Sequence, residues 1–266
     1  MFLFYNVYSS RYTLSMEILY SVLLFLILVG ILYCIRSLRA LHGKVSKKTE
    51  QISREIHKAA VESKKHSMTA YRQTEAFIQM SNLLQFKSAI PSTRSWAASP
   101  DLLLLISETV RKARPSLVVE LGSGVSTLVT AKSGARKVIS IDNSEEFGGK
   151  TVALLKEHKV RGAEIRIAAL QPYANGSTWY DTSAIKDLKK IDLLIIDGPP
   201  GSKNPEARYP ALAEFKEKLS AKAVIVIDDV HREGERKLAE DFAKAMPNHQ
   251  LVILDHEKGT AVISPR

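Results

Sequence analysis

From Ser116 onward the chain repeats one pattern: a short run rich in Val, Ile and Leu, then a longer segment with helical spacing. SLVVEL precedes VSTLVTAKSG, and KVISID precedes EEFGGKTVALLKEHKV. KIDLLIID precedes ARYPALAEFKEKL, KAVIVIDD precedes REGERKLAEDFAKAM, and AEIRIAAL adds a further strand-like run. Runs that are apolar throughout belong to strands covered on both faces, and helices between them imply parallel crossovers. The pattern predicts a doubly wound, mostly parallel α/β sheet. HQLVILDHEKGTAVISP closes the chain as two strand-like runs around a turn, a terminal antiparallel hairpin. Ahead of the pattern, SAIPSTRSWAASPD marks a domain boundary. Ser99, Pro100 and Asp101 then read as a helix start with a hydroxyl N-cap, Pro in the first turn and an acid near the dipole.

The N-terminal part obeys other rules. Ile18 to Ile35 runs ILYSVLLFLILVGILYCI without a charge, and with Leu14 to Glu17 it reaches the roughly 20 residues that cross a hydrocarbon core. A buried core helix would show a polar face, and a signal peptide would carry a basic start and a small-residue cleavage site; neither is present. Arg11 and Glu17 precede the run, whereas Arg36, Arg39, Lys44, Lys47 and Lys48 follow it. That asymmetry predicts a single-pass membrane protein with its C-terminal domain in the cytoplasm. Beyond the span, Leu38, Leu41, Val45, Ile52, Ile56 and Ala59 recur at helical spacing between Lys and Glu. They suit a stalk that either pairs with a second copy as a coiled coil or lies along anionic lipid. The expected organisation is a tail over 1–13, a transmembrane helix over 14–35, a basic helical stalk over 36–90 and an α/β domain over 91–266.

Charge supports that division. Of 38 Lys and Arg and 28 Asp and Glu, 12 and 5 lie at or before Ile90, so the domain carries only +3 of the net +10. The excess belongs to the stalk, which argues against a nucleic-acid-binding face on the domain. The single cysteine, Cys34, excludes an intramolecular disulfide and a multi-cysteine metal site. Its place at the end of the apolar run suits a small helix residue or an S-acylation site.

ELGSGVST follows the first strand and opens a helix. Gly122 and Gly124, with Ser123 and Ser126 beside them, let the backbone approach a ligand at a helix N-terminus. Glu120 ends that strand, and Asp142, followed by Asn143, ends the next, where an acid accepts hydrogen bonds from ribose hydroxyls. Thr127 occupies the third glycine position of a dinucleotide fingerprint, and Glu120 would repel a pyrophosphate. The set therefore favours the sulfonium and amino group of S-adenosylmethionine over a nicotinamide cofactor. A tight turn without a ligand is the plainer alternative.

At the ends of later strands stand Asp197, Asp228 and Asp229. Carboxylates from adjacent strands can converge on a hard divalent cation such as Mg²⁺, or serve as caps and main-chain acceptors. His231, two residues on, is a base for a hydroxyl nucleophile or a surface residue at a helix start. Trp179 and Tyr180 would wall an acceptor pocket or pack their loop on the sheet.

Taken in order, PSTRSWAASPD, VELGSGVSTLVTA, SID, WYD, IDGPPG, ARYPAL and IDDVHREGE resemble a class I methyltransferase family found beside sugar-modifying genes, across the whole of residues 91–266. The resemblance implies a Rossmann-like sheet of seven strands ending in an antiparallel strand, but no particular acceptor. Asp197, Asp228 and Asp229 are also similar in place to the Asp, Asp and Asn metal ligands of catechol and caffeoyl-type O-methyltransferases. Asp229 departs from that pattern, as does GPPGSK, which leaves Lys203 as a distant substitute for an early lysine. The resulting expectation is methylation of a hydroxyl on a small-molecule, saccharide or lipid-linked acceptor, with Asp197 and His231 in the chemistry. A non-catalytic scaffold that only binds the cofactor is the alternative.

Overall fold

The computed structural model describes residues 2–174, 176–201 and 204–266, with side chains from Met16 onward. Contacts divide it into two compact units, Met1–Ser67 and Met68–Arg266. Lys203 lies outside the described residues.

One helix, α1, runs Phe2–Leu84. The expected tail over 1–13 is thus helical from Phe2, since no Pro or Gly interrupts it. Within the first unit an 18-residue window has a mean hydropathy of 2.8 and none of it is buried. Its length and composition are those of a helix that can cross a membrane. Farther along, Leu38, Leu41, Val45, Ile52 and Ile56 are also exposed.

The second unit begins upstream of Pro91 because the end of α1 is part of its core. Ala76, Met80 and Leu84 recur every four residues and are buried, the last two in one cluster with Leu102, Leu103 and Ile106. These belong to α2, Pro100–Ala113. The Ser99 hydroxyl does not cap this helix; it donates to Asp101 Oδ1, and that oxygen also takes the Leu102 N–H at 2.9 Å. A carboxylate in the first turn outcompetes a hydroxyl for the free N–H groups.

The strands are β1 (Val118–Leu121), β2 (Val138–Asp142), β3 (Ala163–Ile167), β4 (Leu170–Pro172), β5 (Thr178–Tyr180), β6 (Ile191–Ile196), β7 (Leu219–Asp228), β8 (His249–Leu254) and β9 (Thr260–Pro265). Seven form one sheet in the order β3-β2-β1-β6-β7-β9-β8. β3, β2, β1, β6 and β7 are parallel, and β9 enters antiparallel to β7 and β8. β4 and β5 make a small separate hairpin that the sequence did not announce.

Alternate residues of each strand supply two cores. Val118, Leu193, Ile195 and Val226 join α1 and α2, with α3 (Val125–Lys132) and α4 (Glu145–Glu157). Val119, Leu121, Leu194, Ile196, Ile225 and Ile227 pack with Phe215 of α5 (Pro210–Phe215) and Phe242 of α6 (Glu233–Ala245). Each such aliphatic or aromatic burial contributes roughly 1.5–3 kcal/mol, which explains why runs apolar throughout were required. The strand order reverses between β1 and β6, so a crevice opens beyond their carboxyl ends.

Candidate active site

On one side of that crevice the loop after β1 turns through Gly122, Ser123 and Gly124 into α3. Gly122 has φ +93°, a backbone conformation that favours glycine, and a Cβ there would meet the Asp197 carbonyl at an ordinary contact distance of 3.4 Å. Glu120 is fully buried. Its Oε2 accepts from the hydroxyls of Thr127 (2.6 Å) and Ser140, while Oε1 has no hydrogen-bond partner among the described residues. Burial pushes its pKa up, against the hydroxyls of Ser126, Ser140 and Thr127. Thr127 in the third glycine position is therefore a structural element: it also accepts the Gly124 N–H at 3.2 Å.

Asp142 Oδ2 accepts the Ser123 N–H (3.0 Å) and hydroxyl (2.6 Å), and Oδ1 accepts the Ser144 N–H (2.9 Å). The acid so ties the glycine loop to the start of α4. Asn143 follows, half-buried. An orphaned buried carboxylate oxygen, a glycine loop and open space around Gly124 together fit a cationic nucleoside ligand.

On the other side, Asp197 follows β6, Asp228 ends β7 and Asp229 comes next, with ligand oxygens all within 4.8 Å of one another. Asp229 has φ 63°, the left-handed region, which Asp and Asn tolerate better than other side chains. The convergence expected from sequence is present. What the sequence did not reveal is a cation already inside it. Arg208, in the turn before α5, is 4% exposed. Its Nη2 donates to Asp229 Oδ2 (2.8 Å), Asp197 Oδ1 (3.3 Å) and Asp197 O (3.0 Å), and Nη1 donates to Asp228 O (3.1 Å). Arg232 Nη1 lies 3.1 Å from Asp229 Oδ2, and buried Glu235 flanks both arginines. Asp228 has neither carboxylate oxygen hydrogen-bonded; Lys258 Nζ stands 4.0 Å away. Burial raises the pKa of Asp197 and Asp228, and their mutual repulsion with Asp229 adds to it.

These donors do not fit Mg²⁺ as they stand. Octahedral Mg²⁺ wants oxygens about 2.0–2.1 Å from the ion, so no two farther apart than about 4.2 Å, and two of these acids already share a guanidinium.

His231 lies apart from the acids. It is exposed, its backbone N–H donates to Lys258 O at 3.2 Å, and its ring covers Gly259. Trp179 and Tyr180 are 1% and 2% exposed in the core, so they pack the loop on the sheet. Tyr180 is held protonated by burial. Trp96, unremarked among the Ser and Ala of its loop, is 75% exposed. The next residue, Ala97, accepts from Lys258 Nζ at 2.9 Å, which brings this loop to the rim of the acid cluster.

Residues 119–230 match the model of a methyltransferase-domain family. The chain also shares its fold with a methyltransferase from Podospora anserina, PaMTH1, solved with S-adenosylhomocysteine bound. That pair is 15% identical, with a TM-score of 0.53 over 77% of this chain and 96% of that one. The O-methyltransferase TomG from Streptomyces achromogenes, solved with S-adenosylmethionine and involved in tomaymycin synthesis, is 13% identical, with a TM-score of 0.50 over 75% and 96%. No curated protein sequence matches. The matched residues 119–230 lie on a sheet of the order seen here, with the Rossmann-like fold of these methyltransferases. The match covers the segment that holds the glycine loop and the strand-end acids, and it supports an S-adenosylmethionine-dependent methyltransferase activity.

Proposed function

We propose that this enzyme methylates a hydroxyl group of a saccharide or lipid-linked acceptor at the cytoplasmic face of a membrane, to which residues 14–35 anchor it. The observation that carries the reading is the placement of Asp197, partly open, against the glycine loop at the crevice. Glu120, Gly122, Ser123, Gly124 and Asp142 would hold the cofactor, with Ser126 and Asn143 supporting them. Bound S-adenosylmethionine supplies a methyl group on a positively charged sulfur. In transfer the acceptor oxygen forms the new C–O bond as the C–S bond breaks, and the hydroxyl proton leaves to a base. Asp197 is the base we assign, because burial raises its basicity towards the range useful for proton abstraction. His231, outside the cluster, is the second choice. Trp96, next to the Ala97 whose carbonyl Lys258 holds, offers an exposed aromatic face suited to a sugar ring. The basic residues after the apolar run support the cytoplasmic orientation.

Membranes containing the full chain, incubated with methyl-labelled S-adenosylmethionine and lipid-linked saccharide extract, should yield alkali-stable label in the glycolipid fraction. Label confined to protein, or binding of cofactor without turnover, would overturn the reading. A reporter enzyme active only in the cytoplasm, fused after Arg266, should be active; silence would reverse the orientation.

A further inference from the structure

We infer that Arg208 is a built-in counter-cation which takes the place of a divalent metal in the acid cluster, so that this site binds no metal ion. Four buried or nearly buried carboxylates, Asp197, Asp228, Asp229 and Glu235, meet Arg208, Arg232 and Lys258 in ion pairs of 2.8 to 4.0 Å. The formal balance is already within one unit of neutrality, and a divalent ion would reverse its sign. Of these cations only Arg208 is sequestered, and a guanidinium cannot relieve repulsion by losing a proton. Its geometry does more than neutralise. One nitrogen joins the Asp197 and Asp229 carboxylates, while the same group holds the main-chain carbonyls that follow β6 and end β7. Metal ions organise neighbouring strand ends in the same way, but need about six oxygens drawn within reach of one centre. Here three carboxylates offer oxygens within 4.8 Å of one another, but Asp197 and Asp229 each already give an oxygen to the guanidinium. Arg208 thus acts through the acids as a positioning residue.

The test reads ion binding directly, so its outcome is separate from the identity of the acceptor. Purified full-length chain is titrated with Mn²⁺ and followed by electron paramagnetic resonance, alongside Arg208→Ala and Arg208→Lys. The wild type and Arg208→Lys should retain no Mn²⁺ at millimolar concentration. Arg208→Ala should acquire one ion, at least tenfold tighter, and its melting temperature should rise with Mg²⁺ when the wild type's does not. S-adenosylmethionine turnover by the wild type should change less than twofold in EDTA. Stoichiometric Mn²⁺ on the wild type, or EDTA inhibition reversed by Mg²⁺, would overturn the inference. A folded Arg208→Ala that binds no ion would overturn it too. If that variant fails to fold, the wild-type titration and the EDTA assay decide alone.

Discussion

Glu120 and Asp142 on one side of the crevice, and Asp197, Asp228 and Asp229 on the other, are all carboxylates at the carboxyl ends of parallel strands, yet different groups hold them. The first pair is bound by hydroxyls and backbone N–H groups, all neutral. The second set is bound by a buried guanidinium, with Arg232 and Lys258 at its edge. Neutral donors stabilise a carboxylate without cancelling its charge, so the cofactor side stays negative and receptive to a cation. The acid side is internally compensated. Net negative charge is thus left where a sulfonium and an amino group would bind, and removed where a neutral acceptor would approach.

The largest expected effect is on the cofactor side. Asp142→Ala removes the acceptor that ties Ser123 and Ser144 together, along with the charged partner for ribose hydroxyls. Affinity for S-adenosylmethionine should fall by about 2–4 kcal/mol, roughly 30- to 1000-fold. Calorimetry on the folded variant checks it, and an unchanged affinity would remove Asp142 from the site.

A pair of isosteric changes sharpens the contrast through its sign. Glu120→Gln removes a buried charge that no cation balances among the described residues, so the cofactor-free protein should gain about 1–3 kcal/mol while binding cofactor more weakly. Asp229→Asn replaces the charged acceptor that Arg208 and Arg232 hold at 2.8 and 3.1 Å with a neutral amide, weakening those charge-assisted contacts, and should cost a similar amount. Thermal melts with and without cofactor measure both. Changes of the same sign would mean that the two sides are not electrostatically different.

The geometry of the glycine-loop side was largely legible in sequence because its signals are local. A glycine loop between strand and helix and an acid at each of two strand ends occupy one short stretch, and the parallel sheet follows from runs apolar throughout. The acid side was only half legible. Asp197, Asp228 and Asp229 announce themselves at strand ends, but Arg208 stands among surface-like residues in ARYPAL, and only the tertiary fold turns it inward. The domain start was hidden for a related reason. Ala76, Met80 and Leu84 continue the helical spacing of the stalk, and no local signal distinguishes a face that packs from one that stays exposed.

Asp101 supports the acid side from behind, and its titration gives the smallest effect and the cleanest sign. It accepts from Gln73 Nε2 (2.6 Å) at the end of α1 and from the Glu257 N–H (2.8 Å) in the hairpin turn, next to Lys258. Burial pushes its pKa up, but bonds from Ser99, Gln73 and Glu257 outweigh burial and hold it below the ordinary value. A depressed carboxyl contributes stability above the unfolded pKa of about 3.9 and loses it as pH falls through the folded value. Asp197 and Asp228 behave in the opposite way. Pushed up to about 6 and about 8, they contribute fully below about 3.9 and lose that contribution as pH rises through those values. The two contributions coexist only in mild acid, so the cofactor-free protein should melt highest at about pH 4–6. Asp101→Asn turns one acceptor into a donor facing donors and should cost about 1 kcal/mol above that window, after allowance for partial exposure. Melting curves of both proteins from about pH 2.5 to 8.5 should show a constant gap in neutral buffer that closes below about pH 3.9. A gap that widens with acid would mean that Asp101 is not held in its ionised form, and that the hairpin turn carrying Lys258 is anchored by other contacts.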